Sequence, residues 1–263
     1  GFTGQPVEGS LEMIAEASSH RNIRLFRQEN AWSTTPLNGI TNAKWELPTS
    51  DAVAQFSAAG YVFAEQLAKS LDVPIGIIQC AWSMSTIQAW MPRETFSTQF
   101  PDVKLPNIKG KEEDFGWLQG TPTLLWNAMV NPWKDFPIAG VLWYQGEANT
   151  PDAKLYGKLF PAMVNDWRKL FNNEKLPFYY AQLAPWKDTG CEKTLWSDFR
   201  QVQNDLLSEV KYTGMVTTGD LGDSLFIHFP KKIHVGKRFA YLALNKVYGN
   251  KGIMSDAPIA TSC

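Results

Sequence analysis

Residues 138–144, Ile-Ala-Gly-Val-Leu-Trp-Tyr, are apolar at nearly every position and then give way to Gln145-Gly146-Glu147-Ala148-Asn149-Thr150. A strand with one wet face alternates apolar and polar residues, so an unbroken apolar run belongs to a strand covered on both faces. The helix-period segment 153–171 follows it, and a buried strand leading into a helix is the repeating unit of a parallel α/β sheet. In such sheets ligands bind just beyond the carboxyl ends of the strands. At that position the chain supplies an amide, a glycine, a carboxylate and a second amide: Gln145, Gly146, Glu147 and Asn149. A polar loop that merely caps the next helix is the simpler explanation of such a stretch. Two aromatics ahead of the loop and a histidine far downstream favour a site.

The same alternation runs along the chain. Patterning predicts strands at 24–27, 73–81, 177–183 and 212–218, helices at 51–71, 153–171, 194–208 and 233–247, and a partly helical stretch at 115–130. That order predicts a three-layer α/β/α sandwich with a mainly parallel sheet. The connections at 30–50 and 94–114 exceed the usual length and are expected to shape a cleft. A chain of 263 residues suffices for one large α/β domain. The net charge of −1 gives no basis for binding nucleic acid or an anionic membrane, and no apolar run reaches the ~20 residues of a membrane span. Eleven tryptophans are many; aromatic faces suit sugars, and the rest fill cores.

Histidine is scarce: His20, His228 and His234. His228 lies in the loop 220–230 that follows the strand at 212–218, so it too sits beyond a strand's carboxyl end. His234 falls inside the last helix, where a solvated or capping role is expected, and His20 is expected at the surface. The spacing of His228 and His234 suits no helical metal pair and no third ligand is evident, so no metal is expected there. Cys80 ends an apolar run and is expected to be a buried small residue. Cys191 and Cys263 lie in polar segments, where a bridge between them is a guess from placement alone.

Taken together these residues resemble the sialate O-acetylesterase family of SGNH-type hydrolases, related to certain acetylxylan esterases. The resemblance runs through Asn22-Ile23-Arg24-Leu25-Phe26, Phe56-Ser57-Ala58-Ala59-Gly60-Tyr61, Pro74-Ile75-Gly76-Ile77-Ile78-Gln79, Ile87-Gln88-Ala89-Trp90, Trp143-Tyr144-Gln145-Gly146-Glu147, Asp220-Leu221-Gly222-Asp223, Ile227-His228 and Gly236-Lys237-Arg238. It implies a flavodoxin-like SGNH hydrolase fold and a carbohydrate esterase that removes O-acetyl groups from sialic acid or other acetylated glycans by serine-type acyl transfer, chemistry that requires no organic cofactor. It also implies a secreted, periplasmic or lysosomal setting.

Carried onto this chain, the resemblance makes His228 the general base. The family often has an acid two residues before that histidine, where this chain has Phe226, which leaves Asp223 or, preferred here, Glu147 to orient the ring. The family's Trp-Gly-Gly-Thr is Trp82-Ser83-Met84-Ser85 here. Backbone N–H groups of Ser83 and Met84 remain oxyanion donors if the local dihedrals avoid positive φ, and Asn149 would add a side-chain amide. Gln145 and Trp90 are expected to contact substrate. Ser83 and Ser85 fit a turn or capping role better than that of a nucleophile.

One motif of the family has no counterpart. The nucleophilic serine belongs to a Gly-Gln-Ser-Asn-Met segment after the first strand, whereas Gly4-Gln5 is followed by Pro6, and Ser10 lacks such a context. Residues 1–263 are therefore expected to form a single domain lacking its first strand and its nucleophile, with periodicity lost again after 252. In a flavodoxin-like sheet the first strand is interior, with the second and third strands on either side. Leaving it out strands backbone groups at roughly 1 to 3 kcal/mol each, against a net stability of ~5 to 15 kcal/mol. The expectation is that an N-terminal segment carries strand and serine, either as a separate polypeptide left by proteolytic cleavage or as part of the same precursor. The rival expectations are an inactive sugar-binding module of the same fold and, more weakly, a metal-dependent hydrolase built on His228, Asp220 and Asp223.

Overall fold

The computed structural model describes residues 7–40, 43–187 and 195–256. In chain order it contains α1 (Ser10–Glu16), β1 (Ile23–Arg27), β2 (Trp45–Glu46), α2 (Ser50–Ala54), α3 (Ala58–Leu71), β3 (Ile75–Gln79), α4 (Arg93–Gln99), β4 (Val141–Trp143), α5 (Ala153–Leu170), β5 (Phe178–Ala181), α6 (Leu195–Glu209), β6 (Thr213–Val216) and α7 (Lys232–Lys246). Every expected strand is present, with β1 one residue longer than expected and the others shorter.

Helix boundaries follow local chemistry. The helix expected over 51–71 is two helices, because Ser57 breaks it: its Oγ accepts the N–H of Gly60 at 3.1 Å and caps α3. Asp152 does the same for α5, accepting from Leu155 N at 2.9 Å. The long connection at 94–114 is not all loop, since α4 opens it, and the one at 30–50 contains β2, which pairs antiparallel with β1.

Alternate residues of β5 face different helical layers. Phe178 and Tyr180 pack with Tyr156 and Phe160 of α5 and Phe199 of α6, while Tyr179 and Ala181 pack with Val235, Phe239 and Ala243 of α7. Both faces are covered, which explains why all of β5 is buried. A separate cluster joins Ile23 and Leu25 of β1 to Val53, Tyr61 and Ala64 of α2 and α3. Close packing of α3 on α7 requires Gly236: a Cβ there would lie 2.5 Å from the Ala59 carbonyl oxygen. Helices therefore flank the strands on both sides.

The expected single sheet is not what forms. The described strands make two three-stranded sheets, β2-β1-β3 and β4-β5-β6, parallel except for the β1–β2 pair. The place of the break also corrects the expectation. The strands thought to flank an empty slot, β1 and β3, pair directly from Ile23–Ile75 to Arg27–Gln79, as consecutive strands joined by a helix tend to do. Among the described strands the sheet edges are β2 and β3 in one sheet and β4 and β6 in the other, and β3 and β4 are the two whose following loops meet. Their side chains register the open edges: Ile75, Ile77 and Ile78 of β3 and Val141 and Leu142 of β4 remain half-buried, unlike any residue of β5.

Three kinds of side chain are placed more closely by the structure. Five of the eleven tryptophans, Trp90, Trp126, Trp133, Trp143 and Trp167, are buried and serve as core rather than as open platforms. His20 is not merely at the surface: its Nδ1 lies 2.8 Å from the Tyr61 hydroxyl and its Nε2 3.4 Å from Glu65. Cys80 is half-buried, with Sγ donating to the Met129 carbonyl at 3.4 Å, and burial pushes its thiol up to about 12. Cys191 and Cys263, and with them any bridge, lie outside the described residues, as does the Gly4-Gln5-Pro6 segment. Within the described residues no helix is long and apolar enough to cross a membrane.

Candidate active site

Beyond β3 the chain runs through Cys80 to Ser83 and Met84, both exposed, and then turns inward at Ser85 and Thr86, which are buried. Met84 has φ of +58°, so the condition set for the oxyanion segment fails there. A left-handed conformation costs an ordinary residue roughly 1 to 2 kcal/mol, and its persistence at a position where the family carries glycine marks a path the backbone is held to. The side chain of Met84 is 71% exposed and contributes no packing that would account for it. A tight helical turn, Ile87–Trp90, follows.

Beyond β4 come Tyr144, Gln145 and Gly146, then a second tight turn, Glu147–Asp152. Gly146 is obligatory: its φ is +153°, and a Cβ would sit 2.6 Å from a ring carbon of Phe199.

Strands β3 and β4 do not pair, yet the loops that follow them are hydrogen-bonded to each other. Gln145 Nε2 donates to the Ser85 carbonyl at 2.8 Å and to Asn149 Oδ1 at 2.7 Å. Asn149 Oδ1 also accepts the Ile87 N–H at 2.9 Å, and Asn149 Nδ2 donates to Gln88 Oε1 at 2.9 Å. These partners fix which way each amide points, because a backbone N–H needs an oxygen and a backbone carbonyl needs a nitrogen. Asn149 Nδ2 keeps a second hydrogen beyond the one given to Gln88. Gln145 Oε1 is left buried without a partner, an arrangement that costs about 1 to 3 kcal/mol.

Trp90 is placed in this network differently from the expectation. It is 3% exposed, packs edge-on against Trp143, and its indole N–H donates to Ser85 Oγ at 2.9 Å. With both ring faces enclosed it steadies the loop instead of offering a surface to sugar. Gln145, 8% exposed, likewise acts inside the loop pair. Ser85 has its hydroxyl and carbonyl committed to Trp90 and Gln145, consistent with a turn role.

His228 is exposed, at the far end of a loop anchored on both sides. Asp220 takes the Arg238 guanidinium on both oxygens, at 2.7 and 2.5 Å, and that hydrogen bonding holds its carboxyl below the usual range. Asp223 Oδ1 accepts the Leu225 N–H at 2.7 Å, an Asx turn. Phe226, at the position of the family's acid, is 63% exposed, whereas Phe229 is 1% exposed and pins the loop to the core. Asp220 is thus committed to Arg238, and the described residues contain no group of three or more His, Cys, Asp or Glu placed to hold a metal.

Glu147 is half-buried at the start of its turn. Its charge reaches Tyr144, whose hydroxyl is pushed up chiefly by burial and further by Glu147. It also reaches Lys232, which burial lowers to about 8 while Glu147 opposes the shift. Lys232 was not singled out from the sequence, nor was Gln88. Gln88 stood within the segment Ile87-Gln88-Ala89-Trp90 without a role of its own, and a lysine four residues past His228 at a helix start was visible.

The model of the family described as carbohydrate esterase, sialic acid-specific acetylesterase, matches residues 7–245. The chain belongs to this family. It is 27% identical to sialate O-acetylesterase of Mus musculus over 98% of this chain and 56% of that protein, and 26% identical to the Homo sapiens protein over 94% and 51%. The chain thus spans about half the length of these curated relatives. A carbohydrate acetylesterase from Xanthomonas citri superposes with a TM-score of 0.82 at 32% identity, covering 93% of this chain and 53% of that one. A protein from Arabidopsis thaliana at 18% identity, with a TM-score of 0.56, shares the fold.

Proposed function

We propose that this chain forms the larger part of a serine-type esterase that removes acetyl groups from carbohydrates, with sialic acid or another acetylated glycan as substrate. The nucleophilic serine is carried on a further strand, joined to this chain or separate from it, which enters between β3 and β4. The observation that carries this reading is the pair of unpaired edges on β3 and β4, whose following loops are already joined through Gln145 and Asn149. A third strand between them would convert two sheets into one mainly parallel sheet. A donor on the incoming segment would also satisfy Gln145 Oε1, which otherwise stays buried and unpaired.

In this scheme the serine Oγ attacks the acetyl carbonyl as His228 takes its proton. The oxyanion is held by the N–H of Ser83 and by the second hydrogen of Asn149 Nδ2, the positive φ of Met84 having removed its N–H from the expected set. His228 then protonates the departing sugar oxygen, and the reverse sequence with water releases acetate and restores the serine. Glu147 is favoured over Asp223 as the group that orients His228, since Asp223 already spends Oδ1 on the Leu225 N–H. The proposed setting is secreted, periplasmic or lysosomal.

The test is intact mass spectrometry of protein purified from its source, run under denaturing conditions, together with a fluorophosphonate serine-hydrolase probe. A second polypeptide, or a longer form of this chain, that takes the label, with labelling abolished by His228→Ala, is the expected result. Only this chain and no labelling would overturn the esterase reading in favour of a sugar-binding module.

A further inference from the structure

Lys232 is the first residue of α7, and it touches both loops of the candidate site. Its Nζ donates to the Tyr144 hydroxyl at 2.9 Å, and Tyr144 immediately precedes Gln145. The same ammonium lies 3.7 Å from the centre of the Phe229 ring and 4.8 Å from that of Tyr144, and Phe229 immediately follows His228. A partly desolvated cation against two aromatic faces is attracted to both, and the charge-assisted hydrogen bond to Tyr144 adds to that. Lysine is seldom buried without a compensating role. A leucine or methionine would pack against these rings at no desolvation cost, but could not reach the hydroxyl. Helix polarity adds to the cost, because a cation at the first residue of α7 faces the positive end of the helix dipole, and α7 has no acidic residue in its first turn.

We propose that Lys232 is a positioning residue, an ammonium clamp that sets the spacing between the loop carrying His228 and the loop carrying Gln145, Glu147 and Asn149. This rests on the esterase reading only for its consequence in catalysis; the clamp itself is a property of the fold. The titratable and charged groups around it are few. Tyr144 and Glu147 come from the β4 loop, His228, Lys231 and His234 from its own segment, and Glu8 from the N-terminal segment, its backbone N–H donating to the Pro230 carbonyl that also accepts the Lys232 N–H. Where α3 packs on α7 it brings Ala59, Val62 and Phe63, none of which titrates. Of these, Glu147 is the group whose charge favours the ammonium. The clamp is closed while the amine is protonated and loosens once it is neutral, because a neutral amine loses both the charge assistance and the attraction to the rings. Burial lowers that transition to about 8, so the loosening falls within ordinary alkaline buffers and not near the pH at which exposed lysines titrate.

Hydrogen–deuterium exchange of the full chain, followed by mass spectrometry and corrected for intrinsic rates, tests this without reference to hydrolysis. In Lys232→Met we expect exchange at 145–150 and 222–230 to quicken about tenfold, the scale set by one charge-assisted hydrogen bond, while β5 and α5 stay protected. Wild type should show the same selective loosening between pH 7 and pH 9.5. Lys232→Arg, which keeps its charge across that range, should hold both loops at both pH values, and Lys231→Met should leave them unchanged. The proposal is overturned if both loops exchange within twofold of wild type in Lys232→Met. It is also overturned if wild type is insensitive to pH or if the arginine variant loosens as the methionine variant does. Selective loosening without any probe labelling would keep the clamp and sink only the esterase reading.

Discussion

The side-chain carbonyl of Asn149 accepts the backbone N–H of Ile87 at 2.9 Å, joining the loop after β4 to the loop after β3 although the two strands do not pair. Replacing Asn149 with alanine strands the Ile87 N–H and one Gln145 hydrogen in a buried setting. We expect a loss of about 2 to 4 kcal/mol in urea unfolding from two or more unsatisfied groups. Asn149→Asp keeps the acceptor for Ile87 and Gln145, gives up the donor and sets a carboxylate against Gln88, whose amide can turn to donate to it, so it should lose less stability. In the assembled esterase it should nonetheless lose about 10² to 10³ in kcat through the missing oxyanion donor. Equal stability losses in the two variants would contradict this division of labour.

Met84 offers a gain. Its φ of +58° suits glycine, and its side chain is 71% exposed. Relief of left-handed strain, about 1 to 2 kcal/mol, exceeds the extra unfolded-state entropy of glycine, about 0.5 to 1 kcal/mol. Met84→Gly should therefore raise the thermal midpoint slightly, and a lower midpoint would show that Met84 makes a contact its exposure conceals.

Gly146→Ala should be among the most damaging single-methyl additions in the chain. The new Cβ would lie 2.6 Å from Phe199, itself fully buried between α5 and α6, at a φ of +153°. Strain and overpacking together are expected to cost about 2 to 4 kcal/mol. A variant that melts with wild type would mean that the loop has room to shift.

Asp166 supplies a pH dependence of stability. Its carboxylate accepts the Thr95 hydroxyl at 2.7 Å, linking α4 to α5, and burial raises its pKa to about 6. The folded pKa lies above the unfolded value near 3.9, so the folded state binds the proton more tightly and stability falls as pH rises through that window. Asp166→Asn keeps an acceptor for Thr95 without the charge. It should be more stable than wild type by about 1 to 3 kcal/mol at pH 7, with the difference vanishing below about pH 4. An advantage that persisted at pH 3.5 would point to another cause.

The lines between sequence and tertiary structure fall where locality ends. Strand and helix order, the site beyond 138–144 and the family were legible because apolar periodicity and motif spacing are local quantities, written residue by residue. The cap at Ser57 was equally local, though it was lost inside a longer periodic stretch. Sheet order was not legible. That β1 pairs with β3, leaving β3 and β4 with open edges, is decided by which helices pack on which faces, and two strands of similar composition carry no mark of their neighbour. The site divides in the same way. Gln145 and Asn149 stood out as a polar loop after a buried strand, but their partners Ser85, Ile87 and Gln88 lie some sixty residues away and meet them only in the fold. Trp90 carried an aromatic signal that sequence cannot divide between core and surface, and Lys232 has a role only because the fold brings two aromatic rings against it.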